Sequence, residues 1–371
     1  MSEILIYTLV WISSFVLVYI NDNNRIILHF RSSYITQDRE NASKISFFTI
    51  IIISTLFTLF DVYVTEIFGL MGGDRENYYV DFMGERVFGT TGLQHVSDFI
   101  HLLNGNYHIL LYFSMFVCVF ITLYAYKISK TTSPCCFYLL CLTQYFLTIL
   151  TALKQCYASA LGILSLVLIL DYDTRASNMG AIVCIIIACL FHPSGYILIL
   201  LYIVLKKRKN RNSILLYLFF LAIIALFFRQ VMLIGASLLN PIIPSLSSKI
   251  LEYFAEGSIV NQDTTTISVF KGVPYFIMAF LGIIERKKIG DKIENYDNYL
   301  IVTVTGAFIY LMSIYSAWLS RFVYLFGFIS IIFFSEILIN IDTKNRLILS
   351  GLMQLLLSVI TYRFMVLVFV I

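Results

Sequence analysis

Residues 179–211 read MGAIVCIIIACLFHPSGYILILLYIVLKKRKNR. The apolar part, 179–205, would make one helix of roughly 40 Å at about 1.5 Å per residue, or two half-depth arms. Its midpoint is Phe191-His192-Pro193-Ser194-Gly195, where Pro193 removes a backbone donor and Gly195 permits a turn, so we read a short hairpin. Charge supports that choice. With the hairpin in place, alternate loops carry Arg25, Arg31, Arg39 and Lys44, then Lys127 and Lys130, then Arg175, then Lys206, Lys207, Arg208, Lys209 and Arg211. The later loops on the same side carry Arg286, Lys287, Lys288 and Lys292, and finally Lys344 and Arg346. This gathers 18 of the 26 basic residues on one face, which the positive-inside rule makes cytoplasmic. A single span over 179–205 would export the Lys206–Arg211 cluster.

Working outward, apolar runs interrupted by charges give about 12 membrane segments, at 4–20, 45–68, 107–126, 135–152, 155–170, 179–192, 194–205, 213–233, 272–284, 298–318, 322–340 and 347–371. The chain is 59% hydrophobic and 13% charged, with a mean hydropathy of +0.86. That is more apolar surface than one water-soluble core buries, and the runs are longer than the alternating strands of an outer-membrane barrel. The expected fold is all-α: a polytopic membrane helical bundle forming one integral membrane domain over residues 1–371, with external loops at about 69–106 and 234–271. Both termini are expected outside. Acidic Glu3 and the lack of a small-residue cleavage site after Ile4–Ile20 argue for an uncleaved first span.

The net charge of +4 is small and tied to segment ends, so no nucleic-acid partner is expected. The seven cysteines, Cys118, Cys135, Cys136, Cys141, Cys156, Cys184 and Cys189, lie in apolar stretches without metal-ligand spacing and read as core residues. No P-loop or HExxH is present, and neither a metal nor a cofactor is expected. Eight cations oppose the topological bias: Arg75, Arg86, Lys154, Arg229, Lys249, Lys271, Arg321 and Arg363. Buried cations that share a cavity need an anion, and in a membrane a substrate diphosphate supplies one.

Four short constellations stand out. Gly72-Gly73-Asp74-Arg75-Glu76-Asn77-Tyr78 follows the second span, with Asp74, Asn77, Tyr78 and Asp81 at the spacing of one helix face. Such a face suits a sugar, with a carboxylate to accept a hydroxyl proton; it equally suits a capped, solvated helix. Lys154 and Gln155 open a span rich in small residues, Ala158, Ser159, Ala160 and Gly162, where a helix N-terminus and a Lys together attract phosphate. His192 lies at the hairpin tip as a structural hydrogen-bonding residue, a diphosphate ligand or a proton acceptor. Arg321 and Tyr324 share a face at i and i+3, placed for a phosphate or for an aromatic belt with Trp318.

In this order the four elements resemble those of the EpsG-like, Wzy-type bacterial polysaccharide polymerases. They are Gly-Asp-x3-Tyr (Gly73, Asp74, Tyr78), basic-Gln-x2-Ala (Lys154, Gln155, Ala158), Phe-His-Pro-Ser (Phe191–Ser194) and Arg-x2-Tyr (Arg321, Tyr324). Lys154 stands where the family often carries Arg, and Arg75 follows the Gly-Asp element where the family has an Arg before it. The resemblance implies a GT-C-like inner-membrane glycosyltransferase of O-antigen, lipopolysaccharide or exopolysaccharide biosynthesis. It would transfer a glycan from undecaprenyl diphosphate to the non-reducing end of another lipid-linked repeat unit outside the membrane.

Under that resemblance Arg321 and Lys154 hold the diphosphate, His192 is a third contact and Asp74 is the candidate general base, with His192 the alternative base. Tyr78, Tyr324, Gln155 and Arg75 contact substrate, and Arg229 is a further cavity cation. The implied partners are undecaprenyl diphosphate-linked oligosaccharides, membrane lipids and a chain-length regulator. An O-antigen ligase-like enzyme would use the same donor with a different acceptor. A lipid-linked oligosaccharide flippase would show a two-half repeat, and none is found in the sequence.

Overall fold

A computed structural model of the chain describes residues 47–68, 75–84, 90–130, 152–172, 174–207, 213–241, 244–254, 265–313, 319, 322–341, 345, 348–357 and 359–360. The segment read at 4–20, residues 135–151 of the segment read at 135–152, Gly72 to Asp74 and Arg321 lie outside the described residues. Those described are helical, with no strand among them. They belong to two compact units, one of residues 1–204 with 342–371 and one of residues 205–341.

In the first unit, α1 (Phe47–Phe68) is followed by two short helices, α2 (Arg75–Phe82) and α3 (Thr91–Leu102). The long α4 (Tyr107–Ile128) comes next, then α5 (Leu153–Asp171) and α6 (Arg175–Phe191). The stretch 69–106, read as a loop, thus carries two helices. A turn through Asn104, at φ 54°, leads to Asn106, whose side chain caps α4 by accepting from Ile109 N–H at 3.1 Å. Thr174 and Ser177 form a reciprocal capping box at the start of α6.

Helix α5 is the centre of this unit. It packs on α4 along one side and α6 along another, and its small residues Ala158, Ser159, Ala160 and Gly162 are buried, allowing close helix approach. The C-terminal ends of α4 and α5 are tied together. Asp171, 5% exposed, accepts from Lys130 N–H at 2.9 Å, Tyr172 Oη donates to the Ile128 carbonyl at 2.5 Å, and Lys130 Nζ lies 5.8 Å from the Tyr172 ring centre.

Helix α6 ends where the sequence breaks. A one-turn 3-10 helix, Pro193–Gly195, intervenes before α7 (Tyr196–Lys207). Gly195 is required there, since a Cβ would sit 2.7 Å from the Cys189 amide nitrogen. Among the described residues α6 and α7 do not pack along one another. An apolar helix, α14 (Ile348–Leu357), lies in the C-terminal part of this unit.

The second unit contains α8 (Ser213–Leu226), α9 (Phe228–Leu239), α10 (Pro244–Phe254), α11 (Thr265–Ile289), α12 (Tyr296–Met312) and α13 (Val323–Asn340). Helices α11, α12 and α13 pack against one another, and α8 joins α12 through Tyr217 Oη and Thr305 Oγ1 at 2.6 Å. The approach of α12 to α13 depends on Gly306: a Cβ there would lie 2.5 Å from Phe326 Cβ. The α11–α12 turn is fixed by Arg286, whose Nε and Nη2 pair with the two Asp297 oxygens at 2.9 and 3.0 Å. That carboxylate raises the Arg286 pKa above its usual value.

Among the described residues two helices, α4 and α5, are long and apolar enough to cross a membrane. A third counts if residues 219–239 are one broken span, bent by 76°. Helices α6, α7, α13 and α14 are apolar but shorter. The chain is a helical membrane protein, and the reading of about twelve segments is not reached by the described helices.

The span read at 213–233 in particular does not run straight: it breaks at Phe227. Polar residues Arg229 and Gln230 follow the bend, and Arg229 Nε donates to the Phe254 carbonyl at 3.1 Å. Helices α9 and α10 are amphipathic and pack together, with Ser247 Oγ donating to the Ala236 carbonyl at 2.8 Å. The stretch 234–271, read as a loop, therefore begins with a helical pair of the kind that lies along a membrane surface.

Candidate functional site

The described parts of three sequence elements meet around the first turn of α5. Lys154 is in that turn, and its Nζ lies 5.2 Å from the centre of the Tyr78 ring. Tyr78 is 3% exposed and Lys154 half-buried. An ammonium over a phenol ring at that distance is a cation–π contact, and partial removal from water strengthens it. Gln155 beside it is buried at 2% exposure. The N-cap residue Ala152 makes no side-chain cap, so the positive end of the α5 dipole adds to the Lys154 charge without a capping acceptor from that side chain.

Tyr78 reaches this place because α2 is bound on its other faces. Phe82 stacks on His101 of α3, ring centres 4.1 Å apart, and the His101 Nε2 lies 3.0 Å from the Phe82 carbonyl. Tyr79 meets Tyr107 of α4 edge-on at 5.2 Å. The i, i+4 pair Tyr78 and Phe82 is therefore the buried stripe of α2, while Asn77 is exposed and Asp81 half-exposed. The expected single face of Asp74, Asn77, Tyr78 and Asp81 divides accordingly: only the phenol points inward among its described members. Arg75 opens α2.

The third element enters from α6. Phe191 stacks on Tyr157, ring centres 4.1 Å apart and planes 13° from parallel. Gly92 of α3 backs the same ring, because a Cβ on it would sit 2.8 Å from Phe191 Cγ. Phe191 is thus clamped between α3 and α5. The 3-10 turn that follows packs on α5 as well. His192 caps that turn: its Nδ1 accepts from Ser194 N–H at 3.1 Å and lies 2.8 Å from Ser194 Oγ.

Tyr157 and Gly92 escaped the sequence reading. Tyr157 had a signal, being three residues after Lys154 and so on the same helix face. Gly92 had none, since the ring it accommodates is distant in sequence.

The remaining candidates are elsewhere. Tyr324 sits in the first turn of α13, in the second unit, just after Arg321. Arg229 belongs to the second unit too, where it caps the C-terminal end of α10. Asp74 immediately precedes α2, outside the described residues.

Chemically, the first-unit site offers one cation, a buried amide side chain, a buried phenol ring and an imidazole on a rigid turn. Groups of these types are suited to oxygen-rich anions and hydroxyls. A family model for the EpsG family matches residues 71–370 of the chain. The comparison with curated proteins and that with solved structures return no match.

Proposed function

The chain belongs to the EpsG family, and on that premise we propose that it is a polysaccharide repeat-unit polymerase of the bacterial inner membrane. In this reading it is a glycosyltransferase that moves a growing glycan from undecaprenyl diphosphate to the non-reducing end of another lipid-linked repeat unit on the external face. The acceptor hydroxyl forms the new glycosidic bond as the anomeric C–O bond to the diphosphate breaks. The hydroxyl proton passes to a base, for which Asp74 is the candidate, and the lipid diphosphate leaves. No nucleotide sugar is consumed, because the diphosphate is the leaving group.

The negative charge that builds on the leaving group needs cations that are in place beforehand, in surroundings poor in water. Lys154 supplies one, and Arg321 with Tyr324 is the second candidate set. Tyr78, Gln155 and Arg75 are assigned to sugar or phosphate contacts, and Arg229 to a more distant cation. The product is the O-antigen of lipopolysaccharide or an exopolysaccharide, made with a chain-length regulator as partner.

The observation that carries this reading is Lys154 held over Tyr78. It joins two of the family's short elements, about 75 residues apart in sequence, at one half-buried site. The test is direct. Purified protein is incubated with undecaprenyl diphosphate-linked repeat units, without nucleotide sugar or metal, and the products are run on a gel. A ladder is expected, and Arg321→Ala, inserted and expressed normally, loses it. Transbilayer movement of the substrate without a ladder would overturn the polymerase reading in favour of a flippase.

A further inference from the structure

Helix α8 carries no charged residue. It packs on α12, and away from that contact Phe219, Phe220, Ile223 and Ile224 stand exposed. A helix that is apolar all round, in a membrane protein, turns such a side to lipid.

The exposed ridge does not stop at the bend. Phe227 N–H donates to the Ile223 carbonyl at 3.0 Å and Val231 N–H to the Phe227 carbonyl at 2.9 Å, so the i, i+4 register runs through the break. The ridge continues along α9 as Phe227, Val231, Ile234 and Leu238, which are 54%, 48%, 60% and 69% exposed. Ala236, buried where Ser247 of α10 donates to its carbonyl, lies about 200° around the helix from both Ile234 and Leu238. Arg229 is on that inner side too, donating to the Phe254 carbonyl. A solvated helix would carry polar side chains opposite its packed face, and α9 carries this apolar stripe.

The bend decides what covers the stripe. The uncharged reach from Ser213 to Phe227 follows the Lys206–Arg211 cluster and rises about 22 Å at about 1.5 Å per residue. Against a hydrocarbon core of about 30 Å, an upright α8 ends about 8 Å short of the far boundary. Turned by 76° there, α9 runs nearly parallel to the bilayer plane, climbing only about 4 Å over its 12 residues. In-plane amphipathic helices seat their apolar face at a depth of about 5–10 Å.

We propose that α9 is an in-plane membrane anchor, with Phe227, Val231, Ile234 and Leu238 seated among the acyl chains of the leaflet remote from the Lys206–Arg211 cluster. Its occupant is bilayer lipid, continuous with the lipid along α8, and α10 backs it on the opposite side. Because lipid alone fills the seat, the anchor is independent of the polymerase reading.

The first test uses the full wild-type chain in lipid nanodiscs. A photoactivated carbene precursor is carried high in the acyl chain, at the chain end or in water, and mass spectrometry locates the label. The high probe should mark the four stripe residues about threefold more than the chain-end probe does, and the aqueous probe should spare them. Ile223, about 15 Å up α8, should favour the chain-end probe and serves as the internal control. A stripe labelled from water, labelled chiefly from the chain end, or labelled by no probe because a second copy covers it overturns the anchor.

Fluorescence measures the depth separately. Ile234→Trp is made in a chain whose own tryptophans, Trp11 and Trp318, are changed to Phe. Lipids brominated near the glycerol end of the chain should quench it about twofold more than lipids brominated near the methyl end. Equal quenching at the two depths, or quenching at neither, overturns the proposal. If this variant misfolds, labelling of the wild type still decides.

Discussion

Removing the charge of Lys154 tests whether α2 docks on α5 through the Tyr78 ring. The cation lies 5.2 Å from the ring centre, inside the roughly 6 Å reach of a cation–π contact. Such a pair is worth about 0.5–1 kcal/mol when exposed and about 2 when dry; Lys154 is half-buried over a ring 3% exposed, so about 1–1.5 kcal/mol is expected. Lys154→Met, Tyr78→Leu and the double variant form a cycle that isolates this coupling from the burial that Tyr78→Leu also loses. Unfolding in mixed micelles, followed by circular dichroism, reads the stability.

Tyr78→Phe serves as the control, since it keeps the ring and should keep most of the coupling. The same variants separate structure from function. On the proposed polymerase reading, loss of a charged hydrogen bond to diphosphate in the transition state costs about 1.5–3 kcal/mol, so Lys154→Met should lower kcat/KM by about 10- to 150-fold. Lys154→Arg should be tolerated, because a guanidinium also stacks on aromatic rings and grips phosphate with two donors. Stability effects of Lys154→Met and Tyr78→Leu that add within about 0.3 kcal/mol would refute the contact.

The second unit gives two further expectations. Asp297→Asn breaks the two-point pair with Arg286, whose side chains are 26% and 22% exposed; it should cost about 1–3 kcal/mol, less than a fully buried pair, and a loss below about 0.5 kcal/mol would show that the turn is held by other contacts. Gly306→Ala should cost about 1–3 kcal/mol by overpacking. Because its new methyl meets Phe326 Cβ, not the ring tip, Phe326→Leu should give no relief, and rescue by that change would contradict the packing.

Much of the first unit could be read from local chemistry. The apolar runs of α4 and α5 have no internal proline, and their helices span 107–128 and 153–171. The break at His192 was legible because Pro193 and Gly195 act on their own backbone. The bend at Phe227 was not, since neither Pro nor Gly marks it; the Phe254 carbonyl, which accepts from Arg229 just after the bend, is 25 residues from Arg229. Helix α11 likewise runs from 265 to 289, past the apolar run at 272–284, and its polar C-terminal end carries the Arg286–Asp297 pair.

For the site, residue types were visible and their orientations were not. Periodicity put Asn77 and Tyr78 on one face, but aromatic contacts with α3 and α4 decided which of them turned inward. Likewise the Phe-His-Pro-Ser run showed an imidazole before a proline, while the contact of its Nδ1 with Ser194 follows only from the structure.

The tie between Asp171, Lys130 and Tyr172 has a mechanical meaning. It pins α4 and α5 to each other at the end opposite Lys154. A helix of 19 residues is a lever about 28 Å long. A tilt of about 5° at the pinned end would carry the Lys154 end through about 2.5 Å, enough to open or close a phosphate contact. The stiffness of that distant joint therefore sets how far the charged tip can travel and, on the proposed polymerase reading, the tolerance of the site to the size of the glycan it would hold.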